Sequence, residues 1–171
     1  VAVVNDEDQV RDVVDVARQH QRPVTFRAAG TSLCGQAVTD GVLVLLGEGL
    51  ATCKISADGG TVQVGPAIIG AEVNRRLAPL GRKIGPDPAS INAAKIGGIA
   101  ANNSSGMCCG TAQNSYNTLA SIRVLLADGT LLDTGDAASV AAFRSSHASL
   151  LDGLAGLAAS VRGDAALAAR V

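Results

Sequence analysis

Aromatic rings are scarce in this sequence: Phe26, Tyr116 and Phe143 are the only three among 171 residues, and tryptophan is absent. A core must therefore be assembled from Val, Leu, Ile and Ala, and the stacking platforms that single-stranded nucleic acid requires are missing. Basic charge is not in excess either. With 14 Lys and Arg against 15 Asp and Glu, no concentrated basic face is available to neutralise a nucleic-acid backbone. Long apolar runs are also lacking. Val42 to Leu46 is the longest strong candidate, far short of the roughly 20 residues of a membrane span, and it reads as a buried strand. The cysteines Cys34, Cys53, Cys108 and Cys109 show no C-x-x-C spacing, and adjacent cysteines are poorly placed to share one tetrahedral ion, so no metal site is expected. They read as free, mostly buried thiols of a reducing cytoplasm. No secretory segment and no initiator Met are found, and both ends of the chain read as cuts.

What is present fits one domain of α+β type, with a core large enough to bury most of its apolar surface. Val1 to Val4 reads as a strand, followed by a helix capped by Asn5, with Val10, Val13, Val14 and Ala17 at helical spacing and an end near His20. Pro23 stops it, Val24 to Ala28 reads as a second strand, and Val42 to Leu46 as a third. Strand, crossover helix and strand imply a small parallel lobe. The pattern then changes. Thr52 to Ser56 and Thr61 to Val64 flank Ala57-Asp58-Gly59-Gly60 as one hairpin, and Thr118 to Leu126 and Thr130 to Thr134 flank Ala127-Asp128-Gly129 as another. A helix is expected from Gly70 to about Leu80, and an Ala/Leu-rich helical tail from Ala137 onward. The whole predicts two lobes, a parallel β-α-β piece and a mixed or antiparallel sheet flanked by helices. Residues 1–136 form the body and residues 137–171 the tail.

Two stretches carry chemistry. The first is the loop after the second predicted strand, Arg27 to Gln36, whose small residues let main-chain N–H groups approach an anion. Gly30 and Gly35 have the G-x-x-x-x-G spacing, but Gln36-Ala37 stands where a P-loop has Lys-Ser/Thr, and no helix-opening G-x-G-x-x-G occurs. ATP and NAD lose their support. An ordinary glycine-containing turn accounts for this loop as well as anion binding does. The second stretch is Gly85-Pro86-Asp87-Pro88-Ala89-Ser90 with Ile96-Gly97-Gly98-Ile99-Ala100-Ala101-Asn102-Asn103-Ser104-Ser105-Gly106. Its prolines pre-order a loop, its glycines admit a bulky neighbour, and its Asn and Ser offer neutral donors and acceptors. Here the alternative is a helix start capped by polar residues, with Gly-Gly serving close packing. Taken together, the two stretches suit a large ligand with a pyrophosphate and a flat polar ring, which describes FAD.

The residues Pro23 to Gln36 resemble the pyrophosphate loop of the vanillyl-alcohol oxidase/p-cresol methylhydroxylase flavoprotein superfamily, and Gly85 to Ser90 and Ile96 to Gly106 resemble its next two cofactor-contacting stretches. Gly81 to Pro88 and Asn102 to Thr111 look most like the FAD-linked D-lactate and D-2-hydroxyglutarate dehydrogenases, in which a flavin part is joined to an iron–sulfur part. The resemblance covers residues 1–136. It implies that Ala28, Ala29, Gly30, Thr31, Ser32 and Leu33 face the pyrophosphate, with Arg27 offsetting charge (a structural salt bridge reads it equally well) and Gly35 and Gln36 closing the loop. Pro86, Asp87 and Ser90 would lie along the ribityl and pyrophosphate side. Gly97, Gly98, Asn102, Ser104, Ser105 and Gly110 would pack against the isoalloxazine and its linker. Tyr116 resembles a position near the cofactor and reads equally as a core ring.

Two departures qualify the resemblance. Where some relatives tether FAD through a histidine after the glycines, this chain has Thr31, so the cofactor is expected to be non-covalent. The later Gly-Ser-Glu-Gly-Thr-like stretch and substrate domain of relatives are not found before Val171. Oxidising a 2-hydroxy acid needs a base for the hydroxyl proton and a cation for the carboxylate. His20 reads as a surface residue at a helix end, His147 as solvent-facing on a tail helix, and Arg75, Arg76 and Arg82 as a solvated face. No catalytic residue is assigned. The expected parent is a cytoplasmic D-2-hydroxy acid dehydrogenase, or one held peripherally at the inner membrane. Its substrate would be held by the absent domain and its electron partner would be an iron–sulfur domain or another carrier. A glycolate-oxidase flavin subunit, an amino-sugar enolpyruvyl reductase and a non-catalytic binding module are the alternatives.

Overall fold

The computed structural model describes residues 1–170, which fall into two compact units divided between Leu119 and Ala120. In the first unit, strand β1 (Ala2–Val4), helix α1 (Glu7–Gln19), β2 (Val24–Arg27) and β3 (Val42–Leu46) build an all-parallel sheet of order β1-β3-β2. The last strand enters the middle, with Ala2 opposite Val44 and Arg27 opposite Leu45. Val44 is therefore fully buried, and Val4 and Ala17 are nearly so. The cap of α1 is Asp6, not Asn5: Gln9 N–H donates to its Oδ1 at 2.8 Å. Asn5 is engaged elsewhere. Its N–H donates to Gln9 Oε1, and its side-chain oxygen accepts from Gly49 N–H, tying the exit of β1 to the chain after β3.

The pattern then becomes antiparallel. Strands β4 (Cys53–Ile55) and β5 (Val62–Val64) pair with Cys53 opposite Val64. Asp58 in their turn has its carboxyl held below the ordinary range, first by the Ser56 hydroxyl and then by the Gly60 N–H. Helix α2 (Gly70–Leu77) lays Val73 and Leu77 with Ile68 onto Cys53, Ile55, Val62 and Val64, which makes the second core. Regular α-turns stop at Leu77 rather than Leu80. Pro79 donates no N–H, so Ala78–Leu80 tightens into a 3₁₀ turn ended by left-handed Gly81. Helices α3 (Ile96–Ala101) and α4 (Ser115–Thr118) complete this unit. The polar run after Ala101 thus ends a helix instead of starting one.

The second unit holds the hairpin β6 (Arg123–Leu125) and β7 (Leu131–Asp133), followed by α5 (Ala137–Ser146), α6 (Ala148–Gly163) and α7 (Ala165–Ala168). The strand expected from Thr118 is shorter at its start, because Asn114 caps the helical turn of α4 through Asn117 N–H. The fold class is α+β as the sequence implies, though the two hairpins remain separate two-stranded sheets. Two local expectations need correction. Cys34 and Cys108 are exposed and Cys53 is half-buried, leaving Cys109 as the buried thiol; three of the four sit on turns, and only Cys109 of those is turned inward. His147 is not solvent-facing: it is stacked on Phe143 and lies 2.9 Å from Asp128 and 2.8 Å from Ser146 Oγ, at the joint between α5 and α6. Among the described residues no helix is long and apolar enough to cross a membrane.

Asp128 in the β6–β7 turn is held at a pKa of about 2, first by the Thr130 N–H and then by the His147 ring. Its folded value is depressed below an unfolded value of about 3.9, so the stabilisation is present above that value and is lost as pH falls through 2. Carboxyl NMR titration should place the Asp128 midpoint near 2. His147→Ala should raise it while leaving it below ordinary, since Thr130 remains. A wild-type midpoint near about 4 would contradict the hydrogen bonds described.

Candidate functional site

The loop after β2 is shaped by two glycines. Gly30 has φ +71° and Gly35 φ +73°, the left-handed region that a side chain resists. A β-carbon on Gly30 would also meet Arg27 Nε at 2.5 Å, because the arginine stem folds across it. The Ser32 hydroxyl bonds the Gln36 side-chain oxygen and receives Cys34 N–H at 3.4 Å, and Val38 N–H donates to Gly35 O at 2.9 Å. The loop is closed by its own groups. Among the described residues, the main-chain N–H groups of Gly30, Thr31, Ser32 and Leu33 find no acceptor.

The opposing wall is α3 and its approach. Ser90 O accepts from Ala93 N–H at 2.8 Å and Ala94 N–H at 2.7 Å, turning the chain toward Lys95. Gly98 faces Ala28, with its would-be β-carbon 3.5 Å from the Ala28 methyl. The helix ends in a left-handed cap at Asn103 (φ 45°), with Asn103 N–H bonded to Ala100 O and Ser104 N–H to Ile99 O. Ser115 is buried, and its hydroxyl lies 3.0 Å from both Ile99 O and Ser104 O, while Tyr116 N–H donates to Asn103 Oδ1. Helix α4 thereby fixes where Asn102 and Ser104 stand.

Between these walls lies an open cleft of about 360 Å³. It brings together Arg27, Ala28, Ala29, Gly30, Thr31, Ser32 and Gln36 from the first loop with Ser90, Gly98, Asn102 and Ser104 from the second stretch. Gly30 and Asn102 therefore share one cavity. Eight other expected positions do not line it. Leu33 is fully exposed, Gly35 stays in its turn, and Pro86 is buried. Asp87 is engaged by Lys83 Nζ at 3.3 Å. Gly97 serves packing, since a β-carbon there would lie 2.8 Å from Pro66 Cβ. Ser105 is exposed, and Gly110, at φ +52°, has open space around it. Tyr116 is 59 % exposed and engages Asn103 through its main chain.

Sequence reasoning missed Phe26, Ala37, Pro88, Ala94, Lys95, Ile99 and Ala101, which also line the cleft. For Lys95 a signal existed: it is the one charged side chain between Asp87 and Arg123. Its ammonium donates to Leu46 O at 2.8 Å. The residues present fit a ligand with an anionic linker and a neutral ring. On one side stand Gly30, Thr31 and Ser32, whose N–H groups find no acceptor among the described residues, and on the other uncharged Asn102 and Ser104, with glycine and alanine also in the lining. No group of three or more His, Cys, Asp or Glu placed to hold a metal ion occurs among the described residues.

Fold and cleft together define a cofactor-binding module of α+β type. The chain matches the family described as "FAD binding domain" over residues 1–135, and it belongs to that family, within the vanillyl-alcohol oxidase/p-cresol methylhydroxylase superfamily. Its cofactor is FAD. Among curated relatives, it is 31% identical over 130 residues to the glycolate oxidase subunit GlcD of Escherichia coli K12, covering 75% of this chain and 26% of that one. It is 29% identical over 130 residues to GlcD of Bacillus subtilis, covering 75% and 28%. With D-2-hydroxyglutarate dehydrogenase of E. coli K12 it shares 28% over 111 residues, covering 64% and 11%. The chain thus spans about a quarter of the length of the glycolate oxidase subunits. In fold it is similar to an alkyldihydroxyacetonephosphate synthase (TM-score 0.65, 20% identity, 80% of this chain and 27% of that). It is likewise similar to 6-hydroxy-D-nicotine oxidase of Arthrobacter nicotinovorans (TM-score 0.64, 18%, 72% and 27%).

Gly106 tests how the second stretch is held together. A β-carbon there would fall well inside contact distance of the Asp87 carbonyl, so Gly106→Ala must separate the Pro86–Pro88 loop from the end of α3. It should cost about 2–3 kcal/mol. Gly110→Ala meets open space and only a left-handed backbone, so it should cost about 1 kcal/mol. Denaturant unfolding of both variants checks this, and equal losses would contradict the close approach.

Proposed function

We propose that this chain is the FAD-holding part of an oxidoreductase that oxidises a D-2-hydroxy acid of the D-lactate or D-2-hydroxyglutarate type. The observation that supports it best is the shared cleft of Gly30 and Asn102, together with family membership over residues 1–135. Gly30 to Leu33 would donate main-chain hydrogen bonds to the diphosphate. Asn102 and Ser104 would meet the polar edge of the ring, and Gly98 with Ala28 would leave room for its plane. Bound flavin supplies a hydride acceptor. The chain's own residues position that acceptor and shield one side of it from water.

No His, Asp or Glu that could take the substrate's hydroxyl proton lines the cleft among the described residues. His20 is the exposed C-cap of α1 and His147 belongs to the second unit. The substrate-binding and proton-removing groups are therefore assigned to a separate substrate domain of the parent enzyme, with an iron–sulfur domain or another carrier taking the electrons. A glycolate-oxidase-like parent is the second reading, supported by the 31% identity to GlcD. The cofactor is held without a covalent bond, since the position after the loop glycine is Thr31, whose hydroxyl is a poor flavin nucleophile.

Purified chain mixed with FAD and desalted should retain a flavin absorption band at one equivalent. Acid precipitation should release all colour to the supernatant. Anaerobic D-lactate, D-2-hydroxyglutarate or glycolate should leave the band unbleached. A chain that stays colourless contradicts the cofactor role, colour in the acid pellet contradicts the non-covalent mode, and bleaching contradicts the need for further domains.

A further inference from the structure

Lys95 is half-buried, lines the cleft, and makes no ion pair among the described residues. Its ammonium has three donors, and one of them is satisfied by Leu46 O at 2.8 Å. Half-buried on an open cleft, the ammonium keeps two donors that pair either with water or with a ligand. Its location says with what. Leu45 is opposite Arg27 in the parallel register, so Leu46 lies beside Ala28. The ammonium is therefore anchored at the carboxyl ends of β2 and β3, where the loop bearing the four unpaired N–H groups begins. Parallel sheets present ligands at that end of their strands.

We propose that Lys95 supplies the charge of an anion subsite completed by the Gly30–Leu33 amides, and that it holds the diphosphate of the cofactor. The carbonyl of Leu46 aims the ammonium, and the diphosphate takes its remaining donors. Arg27 also lines the cleft, but it is exposed and lies across Gly30, so solvent screens it. Lys95 is the stronger anion partner of the two. The assignment rests on the cofactor reading above and adds to it a residue that discriminates FAD from flavin without phosphate.

The test measures binding of FAD, ADP and riboflavin to the full chain and to Lys95→Gln and Lys95→Arg, with thermal melting of each. Lys95→Gln should weaken FAD and ADP roughly ten-fold or more and leave riboflavin unchanged, while Lys95→Arg keeps most of the affinity for all three. Inorganic pyrophosphate should displace FAD from wild type and protect the Lys95 amine from acetylation, a readout that holds even if Lys95→Gln fails to fold, and acetylation of Lys95 unchanged by pyrophosphate overturns the assignment. FAD bound equally by wild type and Lys95→Gln overturns the Lys95 assignment alone. An equal loss of riboflavin reduces Lys95 to a structural tie between strand end and helix, and likewise overturns it. No FAD binding by wild type overturns the cofactor reading and this assignment with it.

Discussion

Among the described residues, four consecutive main-chain N–H groups, Gly30 to Leu33, find no protein acceptor, and that constraint marks the loop wall of the cleft. Such donors are tolerated only where water or a ligand accepts from them. They exist because β2 ends at Arg27 and the chain must travel to Val42 before it can re-enter the sheet between β1 and β2. A loop that leaves a parallel sheet at its carboxyl end, with glycines in the left-handed region, cannot pair its amides with a neighbouring strand. The opposing wall repeats this economy. Asn103 and Ser115 spend their polar groups on fixing the end of α3, which leaves Asn102 and Ser104 at the cleft.

The two cores serve this cleft from below. Val4 and Val44 are the fully buried side chains of the parallel sheet that the loop leaves. Ile68, Val73 and Leu77 seat α2 on the first hairpin. The bridge between Ile69 and Lys95, with Ile96 N–H donating to Ile68 O, then carries that seat to the start of α3. Aliphatic packing suffices because neither core contains a ring. The cleft is accordingly lined by main chain, small side chains and Lys95, with Phe26 as its one aromatic among the described residues.

Much of this was legible in the sequence, for physical reasons that differ by element. The parallel lobe was legible because Val42 to Leu46 is a buried run and Pro23 cuts the helix pattern. The hairpin turns were legible because Asp-Gly fixes the backbone. The α1 cap moved by one residue because Asn5 and Asp6 are both good caps and a contact with Gly49, remote in sequence, decides between them. Gly97 and Gly98 look alike in sequence, yet Pro66 lies against one and Ala28 faces the other. His147 was misplaced because its partner Asp128 lies in a turn 19 residues away. At the site, the chemistry of the two loops was readable, while the members that line the cleft were set by the close approach of Asp87 to Gly106 and by the cap at Asn103. Neither leaves a periodic signal.

The central claim is that the Gly30–Leu33 amides and the α3 end grip one ligand from two sides. Amide chemical-shift mapping of the labelled chain on addition of FAD tests it most directly. The account predicts large shifts at Gly30, Thr31, Ser32, Gly98, Asn102 and Ser104 together, saturating at one equivalent. Shifts confined to one wall, or to residues outside the cleft, would contradict it.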